Sequence, residues 1–383
     1  MNRFNQIIFL TGATGNLGSK LVLQVLEEKP NTQIIALVRG KNQFDAESRL
    51  KNLLLRLSPN SNFSDIGERL EVINGDITKR QLGLPYSQYI NLGKKVTHII
   101  HSAAATKFSS TLEESRHVNC TGTKNVMRFA GLASESSILK TVSHISTAYV
   151  CGNREGIILE DETDKSCSFS NGYEQSKWEA EQFVRGLMRQ IPITIFRPSI
   201  IVGDSETGHI ATFNVLYPPL KLLCQGKMIL LPGCSEAPLD VIPVDYAAGA
   251  ILHITLNNNN SNGKTFHIVA GKNNSSGVGQ IIRQARNILE RENPDTTVVN
   301  TATISSNSIW NRFSTQAKNI CKITKFLNIY RPYITLNRYF DDTNTRRVLR
   351  GSGVSAPSLI NYLDKIMKYS IGTNWGKNRR SAA

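Results

Sequence analysis

Short continuous apolar runs alternate along this chain with segments whose apolar residues recur every three or four positions. The runs Ile7-Ile8-Phe9-Leu10, Gln33-Ile34-Ile35-Ala36-Leu37-Val38, Leu70-Glu71-Val72-Ile73, Val96-Thr97-His98-Ile99-Ile100, Thr141-Val142-Ser143-His144-Ile145 and Ile193-Thr194-Ile195-Phe196 predict strands. Phe266-His267-Ile268-Val269 predicts a returning strand of the same sheet. Helical spacing marks Leu21, Val22, Val25 and Leu26, then 118–130 and 173–187. Strands without polar alternation are covered on both faces, which is the condition of a parallel sheet between helices. The order strand, helix, strand therefore predicts an α/β fold, a doubly wound parallel sheet. The stretch 257–262 is a polar surface turn, and no internal repeat is visible.

The first apolar run leads directly into Thr11-Gly12-Ala13-Thr14-Gly15-Asn16-Leu17-Gly18 and then into a helix. Gly12 permits the tight turn, Gly15 lets backbone approach a pyrophosphate, and Gly18 lets the helix lie close to the sheet, while free N–H groups at the helix start face the anion. In this strand-to-helix setting the pattern predicts a dinucleotide site rather than an ordinary tight connection. The second strand ends in Arg39-Gly40-Lys41, with no carboxylate to hold a ribose 2′-hydroxyl. Arg39, helped by Lys41 or Arg49, suits a 2′-phosphate and favours NADP(H); otherwise Arg39 is a solvated strand-end charge.

Far downstream, Gly172-Tyr173-Glu174-Gln175-Ser176-Lys177-Trp178 places a phenol and an ammonium four residues apart. On a helix these share one face, and a nearby cation lowers a phenol whose ordinary pKa is about 10 towards the range useful for proton transfer. Read alone, the pair is equally a common surface arrangement. Its partners in the sequence give it meaning.

Those partners are Thr11-Gly12-x-x-Gly15-x-x-Gly18, Gly75-Asp76, His101-Ser102-Ala103-Ala104, Asn119-x-x-Gly122-Thr123, Ser146-Thr147-Ala148-Tyr149-Val150, Tyr173-x-x-x-Lys177 and Arg197-Pro198, in that order. The set resembles the extended short-chain dehydrogenases/reductases. Leu37-Val38-Arg39, Leu82-Gly83-Leu84, Tyr173-Glu174-Gln175-Ser176-Lys177-Trp178-x-Ala180-Glu181, Arg197-Pro198-Ser199-Ile200-Ile201-Val202-Gly203-Asp204 and Pro243-Val244-Asp245-Tyr246 look like the thioester reductase and fatty acyl-CoA reductase branch. The likeness covers residues 6–270, with Phe340-Asp341-Asp342-Thr343-Asn344-Thr345 similar to the C-terminal cap of such enzymes.

The resemblance implies Tyr173 as general acid, Lys177 as its modulator and as a ligand of the nicotinamide ribose, and Thr147 rather than Ser146 as the hydroxyl that holds the substrate oxygen. Asn119 corresponds to an asparagine that organises a proton relay, or else is a helix-surface amide. Gly12, Thr14, Gly15, Asn16, Leu17 and Gly18 would cradle the cofactor, with Arg39 and Arg49 at its phosphate. Asp76 and Ile77 would flank the adenine. Ser102, Ala103 and Ala104 would line the crevice, and Pro198, Ser199 and Ile200 would lie near the nicotinamide. The activity implied is NADPH-dependent reduction of an acyl thioester with a long apolar chain, a fatty acyl-CoA or a carrier-protein-bound acyl group, to an aldehyde, with an alcohol as the product of a second hydride. A dehydrogenase or epimerase of a sterol, a flavonoid-like alcohol or a nucleotide sugar is the alternative enzyme. A redox-silent NADP(H)-binding regulator is the alternative outside catalysis, although such a sensor needs no proton donor.

At 383 residues the chain exceeds ordinary single-domain length. Residues 1–203 with 241–272 are expected to form the Rossmann domain, and 204–240 with 273–383 a smaller, mostly helical substrate cap. No stretch reaches the roughly 18 to 20 apolar residues of a membrane span, and Met1-Asn2-Arg3-Phe4 enters the first strand without a signal-peptide core, so a cytoplasmic enzyme is expected. Cys120, Cys151, Cys167, Cys224, Cys234 and Cys321 lack metal-ligand spacing and read as reduced thiols; His98, His101 and His144 read as packed or cofactor-lining, and no metal is expected.

The formal net charge is +15, and residues 310–383 hold 14 Lys/Arg against 3 Asp/Glu. There Lys318, Lys322, Lys325 and Arg331 alternate with Ile320, Ile323, Phe326, Leu327 and Ile329 as in a basic amphipathic helix. Its candidate partners are the phosphates of CoA or an acidic acyl carrier protein, or an anionic membrane surface; a solvated cap face is the plain alternative. No nucleic-acid module is recognisable.

Overall fold

A computed structural model of the chain describes residues 4–59, 66–163, 168–226, 230–232, 235–257, 260–292, 302–304 and 329–377. The basic amphipathic segment at Lys318, Lys322 and Lys325 lies outside the described residues. Seven strands, β1 (Gln6–Thr11), β2 (Thr32–Val38), β3 (Leu70–Asn74), β4 (His98–His101), β5 (Thr141–Ile145), β6 (Ile193–Pro198) and β7 (Thr265–Ile268), form one sheet in the order β7-β6-β5-β4-β1-β2-β3. Every neighbouring pair is parallel. The expected strands are all present, and the order reverses between β1 and β4. That switch point opens a crevice outside the carboxyl ends of the strands.

The unbroken apolar runs follow from burial on two faces. Ile8 and Leu10 point to the helices Asn16–Glu28 and Val244–Asn257, packing with Leu21, Val22, Ala247 and Ile251. Ile7 and Phe9 point the other way, to Val126 and Phe129 of the helix Gly122–Ser134 and Val184 of the helix Gly172–Leu187. A side-chain period of two thus serves two helical layers.

The segment read as a plain helix at 118–130 begins instead with a π-helical turn, His117–Thr121, that carries the buried Asn119. The turn 257–262 is only partly a surface feature: Ser261 is buried, and Asn262 accepts from the Thr141 hydroxyl at 2.7 Å.

A further apolar core joins Tyr217, Leu220 and Leu223 of the helix Tyr217–Cys224, Val278, Ile281 and Ile288 of the helix Val278–Glu292, and Leu363, Ile366 and Met367 of the helix Leu363–Gly372. Short strands accompany these helices, Leu230–Pro232 with Ala302–Ile304 and Pro238–Leu239 with Ser276–Gly277. The C-terminal part is fastened back to the sheet. Arg338–Phe340 pairs in parallel with Gly156–Ile158, and the buried Glu160 carboxylate accepts from the N–H groups of His267 at 2.9 Å and Asn344 at 2.6 Å and from the Thr345 hydroxyl at 3.0 Å. This is how the stretch Phe340 to Thr345 docks beside β7. Among the described residues no helix is long and apolar enough to cross a membrane, and no cluster of His, Cys, Asp and Glu could hold a metal ion.

Candidate active site

The crevice is a cleft of about 350 Å³, within the usual range for ligand sites. One wall is backbone. Gly12 has φ +80°, and a Cβ there would come within 2.6 Å of Ala103 N. A Cβ on Gly18 would stand 2.1 Å from the Gly12 carbonyl oxygen. Gly18 is not among the cleft-lining residues; it acts by letting helix and turn touch. The helix Asn16–Glu28 starts at Gly15 with no side-chain cap and no acidic residue in its first turn. Its free N–H groups and the cradle that only glycine permits fit the pyrophosphate of a dinucleotide.

Thr14, Gly15, Asn16 and Leu17 line the cleft, as do Ser102, Ala103 and Ala104 after β4 and Pro198, Ser199 and Ile200 after β6. Asn16 also holds the opposite rim, accepting from the Thr212 N–H at 2.7 Å. At the other end Arg39 and Arg49 both line the cleft, with Ile77. Arg49 donates to the Arg39 carbonyl, which brings the two exposed guanidinium groups to one corner. Lys41 is not a lining residue. Neither is Asp76, whose Oδ1 accepts from the N–H and hydroxyl of Thr78, both at 2.9 Å, and closes a local turn. Aspartate readily makes this bond to a residue two places on.

The inner end is made of side chains, Ser146, Thr147 and Lys177 buried and Tyr173 half-buried. The helix Gly172–Leu187 is capped by Asn171, whose side chain accepts from the Glu174 N–H at 3.0 Å. Its first turn carries Tyr173, hydrogen-bonded by its hydroxyl to the side chain of Thr147. Thr147 itself sits at the carboxyl end of β5 and reaches the Pro198 carbonyl at 3.4 Å. Lys177 is buried and donates to the Ile145 carbonyl at 2.6 Å. Ser146 lines the cleft, but its hydroxyl is committed to Glu181 at 2.5 Å. Glu181 forms a buried ion pair with Arg197 at 2.6 Å. Burial alone would raise the Glu181 carboxyl; Arg197, joined by Arg185 at 2.9 Å, overcomes it and holds the group down to about 2.

The sequence reading expected Lys177 to lower the Tyr173 phenol. The protein does the opposite: burial pushes Tyr173 up to about 12, opposed by the Thr147 hydrogen bond, and Glu174 adds to the rise. Lys177 is pulled down to about 8 by burial, against the attraction of Glu181. Sharing a helix face does not make the two groups partners, because the ammonium is engaged by a backbone carbonyl across the sheet.

Asn119 does not line the cleft. It bridges two walls, accepting from Ala105 N–H at 2.8 Å and donating to the Ser176 hydroxyl at 2.9 Å. His101 is packed between the Thr11 and Thr123 hydroxyls at 2.8 and 3.0 Å, and His98 and His144 are buried beside it in the sheet. Burial takes His101 down to about 3, so it is neutral. Residues that sequence reasoning missed include Phe108, Tyr149, Thr212, Asn214 and Val215. Tyr149 lies within a motif that the sequence shows, two places after Thr147; the others come from irregular or distant segments, where neither periodicity nor a glycine turn gives a signal.

Residues 10–251 match a family model for NAD-binding domains described as male sterility protein. The chain belongs to this family. Within the extended short-chain dehydrogenases/reductases it falls in the thioester reductase branch, a group of oxidoreductases that bind a nicotinamide dinucleotide. This male sterility family chain is 31% identical over 269 residues to aldehyde reductase lnbA of Aspergillus flavus, a match covering 68% of the chain and 26% of that relative. It is 30% identical over 276 residues to the nonribosomal peptide synthetase asaC of the same organism, again covering 68% of the chain and 26% of the relative. The chain thus spans about a quarter of the length of these relatives. Among solved structures, the terminal R domain from the myxalamid PKS-NRPS biosynthetic pathway superposes with a TM-score of 0.81 at 25% identity, covering 99% of the chain and 93% of that domain.

Proposed function

We propose that this protein reduces an acyl thioester, presented by CoA or an acyl carrier protein, to an aldehyde with NADPH as the reductant. The observation that carries the reading is the Thr147 and Tyr173 hydroxyl pair, hydrogen-bonded to each other at the inner end of a glycine-cradled cleft. The carrier is suggested by the likeness to the myxalamid R domain and to a nonribosomal peptide synthetase.

Gly12 to Leu17 would hold the pyrophosphate, Lys177 the nicotinamide ribose, and the Arg39 and Arg49 corner the 2′-phosphate that separates NADPH from NADH. When bound there, the reduced nicotinamide would supply the hydride that the carbonyl carbon receives. Thr147 and Tyr173 donate hydrogen bonds to the carbonyl oxygen, and these strengthen as negative charge develops there in a cleft partly closed to water. Tyr173 then gives its proton to that oxygen. A phenol at about 12 is fully protonated at neutral pH and loses its proton only to a strong base such as a developing alkoxide. The resulting hemithioacetal loses its thiol to leave the aldehyde. Ser146, tied to Glu181, and Asn119, tied to Ala105 and Ser176, hold the walls and are positioning residues.

The cap reading assigns 204–240 and 273–383 to substrate binding and 1–203 with 241–272 to the cofactor, in a cytoplasmic setting where Cys120, Cys151 and Cys224 are free thiols. The test is direct: NADPH consumption with an acyl-pantetheine thioester must release one free thiol per aldehyde formed. Consumption without thiol release would replace the thioester with another carbonyl.

A further inference from the structure

Beyond Tyr173 the cleft is walled by an aromatic stack. The cleft-lining Phe108 lies 5.7 Å from the Tyr173 ring and stacks on Tyr333 at 5.2 Å, with the planes 5° apart. Tyr333 forms part of the wall of a second cavity of about 70 Å³, whose other walls include Leu220, Leu223, Leu239, Val278 and Ile281. The Tyr333 hydroxyl is bonded to the Glu174 carboxylate and to Asn171 Nδ2. Its polar end is thus already engaged, and this chamber is hydrocarbon. Ile200 and Val215 line both spaces and stand between them. Val215 has φ +48°, a left-handed backbone that a β-branched residue adopts only under strain, and such strain gathers at ligand clamps.

We propose that this chamber receives the first apolar carbons of the substrate's acyl group through a doorway at Val215, and that Val215 there and Leu223 inside are the residues that set acyl size. The proposal rests on the thioester reading. A carbonyl held between Thr147 and Tyr173 has two substituents. Its sulfur leads out to a carrier too large to enter, so the acyl group takes the adjoining space, and the adjoining space is apolar. Size follows from volume: a dry cavity of about 150 Å³ takes benzene, so about 70 Å³ takes roughly three carbons. A longer chain enters only if the doorway gives.

The experiment measures kcat/KM for straight-chain acyl-pantetheine thioesters from acetyl to decanoyl, in the full chain and in Val215→Gly and Leu223→Phe. Each methylene that enters the chamber should raise kcat/KM about fourfold, for roughly three carbons, before a plateau. Val215→Gly removes the doorway side chain and accepts the positive φ without strain, so the plateau should move to longer acyl groups. Leu223→Phe should lower the hexanoyl-to-acetyl ratio at least tenfold. Ratios within one variant cancel a general loss of folded protein. A flat chain-length profile in the unaltered protein, or unchanged ratios in both variants, overturns the proposal. Calorimetric titration of the NADP⁺-loaded protein with straight-chain alcohols from two to eight carbons separates the two readings. If no thioester is reduced yet affinity climbs with each carbon and Leu223→Phe abolishes the climb, the chamber stands and the thioester reading falls. If thioesters are reduced but the alcohols bind alike, the chamber falls alone.

Discussion

The two ends of the cleft are built in opposite ways. The Arg39 and Gly15 end is backbone and exposed guanidinium, supplied by the first 49 residues through local turns. The Tyr173 end is mostly buried side chains held by partners far away in the chain: Lys177 by Ile145, Ser146 by Glu181, Tyr333 by Glu174. An exposed charge in water contributes little to stability and acts mainly on what it binds. A buried group is part of the fold, so removing it moves stability as well as chemistry wherever its partner is left unpaired. Substitution of an exposed guanidinium at the first end should therefore alter cofactor choice alone, and substitutions at the second should divide between folding and turnover according to whether they strand a buried partner.

The sharpest contrast is at Arg197. Arg197→Met takes its most buried cation from the Glu181 carboxylate, leaving it Arg185 at 2.9 Å and the Ser146 hydroxyl, and should destabilise the protein by up to about 3–5 kcal/mol in denaturant titrations. Retention of unaltered stability would break the contrast, since the inner end would then be no more coupled than the outer.

Tyr173→Phe keeps the ring and strands no charge. It should lower turnover by about 10² or more while leaving the melting temperature and the NADPH affinity, read by fluorescence titration, nearly unchanged. Turnover equal to that of the unaltered protein would remove Tyr173 from the chemistry.

At the outer end Arg39→Asp should weaken NADPH about tenfold or more relative to NADH, with no change in denaturant midpoint, because it replaces a charge-assisted phosphate contact by repulsion. Equal loss for both cofactors would show that no 2′-phosphate is read there.

The smallest effect near neutrality concerns pH. Lys177 is held at about 8, below its ordinary 10.5, by burial. Its charge is present below that value and lost as pH rises through it. If the ammonium form is required, kcat/KM should be about halved near pH 8 and fall tenfold per unit above, a limb absent in Tyr173→Phe only if the two act as one unit. A profile flat to pH 9.5 would remove the charge of Lys177 from the mechanism.

What the sequence by itself determined is whatever short-range sterics decide. Apolar runs covered on two faces specify parallel strands, Gly12 and Gly18 specify a turn in which a Cβ would clash with backbone, and spacing puts Tyr173 and Lys177 on one helix. The turn at Asp76 is also local, since Asp76-Ile77-Thr78 closes on itself. What only the tertiary structure decided depends on groups brought together across the chain. The direction of the Tyr173 shift follows from burial, the engagement of Lys177 from a carbonyl 32 residues away, and the place of Asn119 from a π-helical turn that no periodicity marks. Phe108 and Tyr333 meet over a separation of 225 positions. Desolvation and long-range packing are properties of an environment, and a linear pattern of residue types carries the faces of each element but not what those faces will be pressed against.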